Sequence, residues 1–258
     1  MIEEARQLEK EAYALLTQEK YGEACRLFKK AAESFCAGHN HKEAALCFAS
    51  AASCWAIKSG EKTFQLAAQT YELAAKEAHK AGDLDYASLL YKYAASNYER
   101  DLEFINFSDC VYQSRECKRQ FFWLSLLQPR KIHSIAHHRL ESGPASIMRH
   151  AWGWFALSIS HAVWGHGERP FRALGFALGV ILTSAFLYSW GSAVSYGLVV
   201  KPDLFEALYM SVITFSTVGY GDVTPHGVIK IVAMVEALSG MVLIPVFITG
   251  LSRKYLRI

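Results

Sequence analysis

Two long stretches without charge constrain this chain more than any other feature. Between Ala173 and Val200 there is no Asp, Glu, Lys or Arg, and between Ile231 and Ser252 the only one is Glu236. A helix rises about 1.5 Å per residue, so about 20 apolar residues cross the hydrocarbon core of a bilayer. Both stretches reach that length, and membrane spans are expected at 171–200 and 228–252. Charged residues are instead dense from the amino terminus to about Arg139, so the 258 residues, 52% hydrophobic and 20% charged, divide into a polar part and a small membrane part. Arg149, Arg169 and Arg172 precede the first span, and Arg253, Lys254 and Arg257 follow the second. The positive-inside rule then puts both termini in the cytoplasm of a protein integral to the plasma (cell inner) membrane. Met1-Ile2-Glu3-Glu4 opens a polar helix rather than a signal peptide, so insertion is expected to use the first span.

The polar part carries an internal repeat. An aromatic residue is followed by an alanine pair at Phe28-Ala31-Ala32, Phe48-Ala51-Ala52, Tyr71-Ala74-Ala75 and Tyr91-Ala94-Ala95. The spacing of about 20 residues suits one helix plus a tight turn, and alternate helices then build an α-solenoid over 1–100. Alanine has the best helix propensity and lets neighbouring helices approach closely, while the aromatic fills the gap. Gly22, Gly38-His39-Asn40, Ser59-Gly60 and Gly82-Asp83 are the expected turns. The runs Glu23-Ala24-Cys25-Arg26-Leu27-Phe28-Lys29-Lys30-Ala31-Ala32 and Glu43-Ala44-Ala45-Leu46-Cys47-Phe48-Ala49-Ser50-Ala51-Ala52 resemble tetratricopeptide-type repeats, particularly attachment proteins of the SNAP type. That resemblance, over roughly 5–100, implies a scaffold for a protein or peptide partner; an assembly platform is the alternative. All six cysteines (Cys25, Cys36, Cys47, Cys54, Cys110, Cys117) fall on the cytosolic side without a CxxC pair and read as small apolar core residues.

Residues 101–169 are less regular, with breaks at Pro129-Arg130-Lys131 and Ser142-Gly143-Pro144, and read as a linker with helices. Within it Ala151 to Trp164 is uncharged, rich in Trp and too short to span. It is expected either to lie in the headgroup region ahead of the first span or to pack on the solenoid.

Between the spans, Lys201-Pro202-Asp203 can start a short helix at 203–215, capped by Asp203, and the glycine-rich run Thr217-Val218-Gly219-Tyr220-Gly221-Asp222 follows it. A half-length helix with its C-terminal end at membrane depth directs negative dipole potential at a cation. Non-helical backbone there is tolerable only where protein encloses a cavity.

This run at 217–222, with its helix and two spans, resembles the selectivity filter of the potassium channel superfamily in its two-transmembrane-helix form. The resemblance implies an all-α fold in which the cytosolic solenoid precedes a pore domain at 170–258 with a re-entrant pore helix. It also implies that the carbonyls of Thr217, Val218, Gly219 and Tyr220, with the Thr217 hydroxyl, replace the hydration shell of K+. Gly219 and Gly221 let successive carbonyls face one axis, because alternating backbone hand needs positive φ. One chain supplies a quarter of each oxygen ring, so a homotetramer in a lipid membrane is implied, with potassium as permeant ion and no cofactor. Where family members often carry two Trp residues in the pore helix this chain has Tyr209 and Met210, and where some carry Glu it has Ile213. Asp222 therefore lacks its usual partner, and Tyr209 is expected to donate a hydrogen bond to it.

In the second span Gly240 and Pro245 can act as a gating hinge, or Gly240 can be a close-packing glycine against the pore helix. Met241, Ile244, Ile248 and Ser252 would line the inner pore, Ile248 as a dewetting constriction. Glu236 is expected behind the filter, bracing it by hydrogen bonds or sensing protons. No helix carries Lys or Arg at every third position, no GxGxxG unit appears and little chain follows the second span. Regulation is therefore expected from the amino-terminal repeats. The histidines, including His133, His137 and His138, show no ligand pattern, and no nucleophile–base constellation is present, so neither an enzyme nor a nucleic-acid binder is expected. The rival reading is a membrane-anchored adaptor, which would have no use for a pore helix.

Overall fold

The computed structural model describes residues 2–58, 62–127 and 144–255. The expected turn at Ser59-Gly60, the breaks at Pro129-Arg130-Lys131 and Ser142-Gly143, His133, His137, His138 and Arg257 lie outside the described residues, as do the side chains of Arg253 and Lys254. The chain forms two compact units, 1–159 and 160–258.

The first unit is a stack of helices: α1 (Ile2–Thr17), α2 (Tyr21–Ala37), α3 (His41–Ile57), α4 (Thr63–Lys80), α5 (Leu84–Arg100) and α6 (Phe104–Leu127). Each packs against the one before it. All four repeat signatures are used as the periodicity predicts, one each on α2 to α5. Phe28, Phe48, Tyr71 and Tyr91 are buried, and so are Ala31, Ala32, Ala51, Ala52, Ala74, Ala75, Ala94 and Ala95. Gly82 reverses the chain at φ 80° after α4. Asp83 then caps α5, its side chain accepting from the Tyr86 amide at 3.0 Å. Gly22 is not a turn residue: it lies in the first turn of α2, and the reversal before it uses Glu19 at φ 60°.

The stack does not stop at residue 100. Helix α6 continues it, burying Cys110, Ser114, Cys117 and Phe121, spaced four, three and four residues apart along one face. Small Cys and Ser residues here do the spacing job that Ala pairs do earlier. Ser114 donates to the Ser88 carbonyl at 2.8 Å, and Lys118 pairs with Asp85. The cysteines are unpaired and mostly buried. Burial pushes the Cys25 thiol up to about 11, and burial together with Glu77 does the same for Cys36. Burial takes Cys47, Cys110 and Cys117 up to about 12, so these thiols stay protonated and unreactive.

Helix α7 (Pro144–Trp164) covers the segment for which two placements were left open. It stacks on α6 through Trp154 and Trp123, with ring centroids 4.9 Å apart, and Gly153 lies against Phe122. Ile147, Met148, Trp152, Phe155 and Ile159 remain exposed on another face. The helix thus has one aromatic face on the stack and one apolar face left open.

The second unit holds α8 (Phe171–Trp190), β1 (Ser192–Ser195), β2 (Leu198–Val200), α9 (Leu204–Phe215), β3 (Val223–His226) and α10 (Ile229–Tyr255). Helices α8 and α10 are long and apolar enough to cross a membrane. The first expected span, 171–200, is shorter than its uncharged stretch: the helix ends at Trp190 and the remaining residues form a hairpin. Gly191 breaks the helix in an extended conformation, and Tyr196 (φ 49°) and Gly197 (φ 78°) make the two-residue turn between β1 and β2. Two consecutive positive φ values are what a tight hairpin with native twist requires. The antiparallel sheet has the order β2-β1-β3, with Ala193 opposite both Val200 and Pro225. Pro225 is tolerated because β3 is an edge strand. Twenty helical residues still give a rise of about 30 Å, enough for a span.

Candidate ion pathway

Small residues position this site. Helix α8 buries Ala173, Ser184, Ala185 and Tyr188 on one stripe, and α10 turns Glu236, Gly240, Leu243 and Gly250 inward at spacings of four, three and seven residues. Such stripes let helices approach closely without bulky side chains between them. Helix α9 packs against both.

Helix α9 starts on a complete capping box. The Asp203 side chain accepts from the Glu206 amide at 2.7 Å, and the Glu206 side chain accepts from the Asp203 amide at 3.2 Å. At the other end the chain reverses by a Schellman arrangement: Val218 N donates to Ile213 O at 3.0 Å and Thr217 N to Thr214 O at 3.0 Å. The left-handed residue of this arrangement is Thr217, at φ 58°. Glycine usually occupies that position, and a β-branched residue there stores strain on the order of 1–3 kcal/mol.

Beyond Thr217 the hand of the backbone alternates. Thr217, Gly219 (φ 52°) and Gly221 (φ 80°) have positive φ, whereas Val218 and Tyr220 do not. A Cβ on Gly219 or Gly221 would meet nothing within 4 Å, so glycine is required there by conformation and not by crowding. All six residues from Thr217 to Asp222 are exposed on the single chain.

The expected contact from Tyr209 is present: its hydroxyl donates to Asp222 Oδ2 at 2.8 Å, tying the pore helix to the far end of the hexapeptide. Glu236 is 1% exposed, accepts from the Tyr188 hydroxyl at 2.5 Å and contacts the Ser211 hydroxyl through its other oxygen. Gly240 has a reason that periodicity could not show. A Cβ there would come within 1.8 Å of the Phe215 carbonyl oxygen, so α10 touches the end of α9 backbone to backbone. Close packing, one of the two alternatives open for Gly240, thus has a specific contact behind it. Pro245 lies inside α10, which is assigned as one helix from Ile229 to Tyr255. Met241, Ile244, Ile248 and Ser252 all fall on exposed positions of α10.

Sequence reasoning missed the small sheet. Its hairpin brings Ser195 and Tyr196 beside Phe205, Glu206, Tyr209, Asp222 and Val223 around a cavity of about 210 Å³. The Tyr196-Gly197 dipeptide was the available signal for it.

No curated protein and no solved structure matches the chain. Residues 175–257 do match a family model, described as ion channel, and this stretch takes in nearly all of α8, the sheet, α9, the hexapeptide and α10. The matched stretch thus holds two membrane-length helices flanking a capped half-length helix and a run of alternating hand, and it is similar to that ion-channel family.

Proposed function

We propose that four copies of this chain surround one axis and conduct potassium selectively, the carbonyls of Thr217, Val218, Gly219 and Tyr220 and the Thr217 hydroxyl replacing the hydration shell of the ion. The observation that carries this reading is the alternation of backbone hand from Thr217 to Gly221, which begins at a strained threonine and continues through two unobstructed glycines. A loop that merely joins two helices has no need of that conformation. Potassium is the permeant ion, the homotetramer is the functional unit, and Asp222, Tyr209 and Glu236 brace the filter from outside.

The inner half of α10 lines the path through Met241, Ile244, Ile248 and Ser252, and bending near Gly240 to Pro245 moves the Ile248 ring between wet and dry states. Both termini lie in the cytoplasm at the plasma (cell inner) membrane. The helical stack assembles or gates the pore, with a protein or peptide partner on its surface, and the open apolar face of α7 lies in the headgroup region.

The test is reversal potential of the purified protein in planar bilayers under a potassium-to-sodium gradient, with barium as blocker and Gly219→Ala as control. A barium-sensitive current reversing near the potassium equilibrium potential, absent in the control, is expected. A current that does not distinguish potassium from sodium would overturn the selectivity. Silence from the whole chain and from a form lacking 2–127 would favour an adaptor anchored by its two spans.

A further inference from the structure

Glu236 is surrounded by hydroxyls. Tyr188 of α8 lies 2.5 Å from one carboxyl oxygen and Ser211 of α9 contacts the other. Its partners among the described residues include no Lys, Arg or His.

Ser211 has a second contact. Its Oγ also lies 2.8 Å from the carbonyl oxygen of Ile181 on α8, a group that can only accept. The cluster therefore has three short oxygen–oxygen contacts: Tyr188 to Glu236, Ser211 to Glu236 and Ser211 to Ile181. Each contact needs one proton. Tyr188 and Ser211 carry one hydroxyl proton each, which leaves one contact without a proton. If Glu236 were a carboxylate, Ser211 would have to choose between it and Ile181, and the other short contact would set lone pair against lone pair. A buried carboxylate would also stand without a cation at membrane depth, which is costly.

We infer that Glu236 is a protonated carboxylic acid acting as a two-ended bridge, its own O–H donating to Ser211 and its other oxygen accepting from Tyr188. Ser211 then donates its own O–H to the Ile181 carbonyl, and every contact is satisfied. The bridge joins α8, α9 and α10 one turn from the Gly240–Phe215 contact, so the pore helix is clamped at two successive turns. Glu236 is on this account a positioning residue for the filter, without an ionic charge of its own beside the permeating cation. Only this consequence rests on the potassium-pore reading; the proton assignment does not.

The bridge can be read directly by infrared difference spectroscopy on the full chain in lipid at neutral pH, wild type against Glu236→Gln. The expected result is a protonated carboxylic C=O band present in wild type and lost in the variant. Glutamine can rebuild the bridge, its amide N–H donating to Ser211 and its oxygen accepting from Tyr188, so it should rescue the tetramer and the potassium-over-sodium selectivity that Glu236→Ala loses. Absence of the band overturns the proposal, and so does a Glu236→Gln chain that misassembles or loses selectivity as Glu236→Ala does. A band without potassium current would leave the bridge standing and remove the pore reading, whereas selective current without the band would remove the bridge alone.

Discussion

Alanine and glycine bring helices together in both units, but only the stack from α1 to α6 covers its repeat aromatics within the chain. In the helical stack the aromatic of each repeat is covered by the neighbouring helix of the same chain, as Phe28 is, packed with Ala12, Ala24, Cys25, Ala51 and Cys54. In the carboxy-terminal unit only a minority of α8 and α10 is buried, which leaves most of their apolar surface open. Leu178, Leu182, Phe186, Val235, Leu238 and Val242 are all exposed. Water drives burial in the stack from α1 to α6, where the aromatics of the repeats are covered within one chain. The second unit presents surface that lipid and other copies of the chain must meet, and its own chain supplies only the small-residue contacts and hydrogen bonds that fix the pore helix.

The sharpest way to break this contrast is at Gly240. Glycine there is a matter of contact with backbone, so Gly240→Ala should cost on the order of 3 kcal/mol or more and abolish assembly, because neither α10 nor the Phe215 carbonyl can give way cheaply. Gly175→Ala on α8, where nothing lies within 4 Å, should leave the assembled species unchanged. Size-exclusion chromatography in mild detergent compares the two. An assembled Gly240→Ala protein would show that the clamp is not what organises the pore helix.

Phe28→Ala attacks the first unit in the way natural to it. The ring is fully buried and meets Tyr13 edge-on with centroids 4.9 Å apart, so its removal should cost about 3–5 kcal/mol through lost burial and a residual cavity. Hydrogen exchange of the full chain should show α1 to α3 opening faster with α8 to α10 unaffected. Equal loss of protection in both units would mean that they do not stabilise themselves independently.

Glu77 offers a smaller, pH-dependent effect in the same stack. It accepts from His41 at 2.7 Å and from Lys80 at 2.7 Å, joining the end of α4 to the start of α3. Burial alone would raise its carboxyl, but Lys80 and His41 outweigh that and hold it below the usual carboxylate range. A carboxyl depressed in the folded state contributes stability above its unfolded value, and that contribution is lost as pH falls through the folded value. Glu77→Gln should therefore lose about 1–2 kcal/mol of local stability at neutral pH and almost none in strong acid, as read by exchange of the α3 and α4 amides. A difference that persisted in acid would mean the carboxylate charge is not what ties the two helices.

How far these features could be read from sequence follows from the range of the interactions behind them. The two spans and the run from Thr217 to Asp222 rest on local signals, namely uncharged length and positive-φ glycines. The repeats were legible because alanine pairs recur at helical spacing. Helices were expected in 101–169, but that α6 continues the stack escaped because it uses Cys110, Ser114 and Cys117 for the same purpose, and a search for alanine passes over them. The hairpin at 192–200 escaped because its residues are as uncharged as a span, and only Tyr196-Gly197 marks the turn. The Phe215 carbonyl beside Gly240 and the second contact of Ser211 are tertiary facts, set by how α8, α9 and α10 cross, and no spacing in the chain announces them.

The mildest prediction concerns Tyr209, where the carboxy-terminal unit relies on a single exposed contact rather than on burial. Its hydroxyl reaches Asp222 at 2.8 Å, and Asp222 stands just after the last left-handed glycine of the run. Tyr209→Phe keeps the ring and removes only that solvent-exposed donor, so folding and assembly should survive. What should change is how long the run holds its alternating conformation under load, because strain stored at Thr217 is then resisted at one end less firmly. Macroscopic current in Tyr209→Phe should decline faster from its peak than in wild type, with ion preference retained. Unchanged time courses would show that the hairpin and β3, which pin Val223 opposite Ser195, hold Asp222 in place without help from the pore helix.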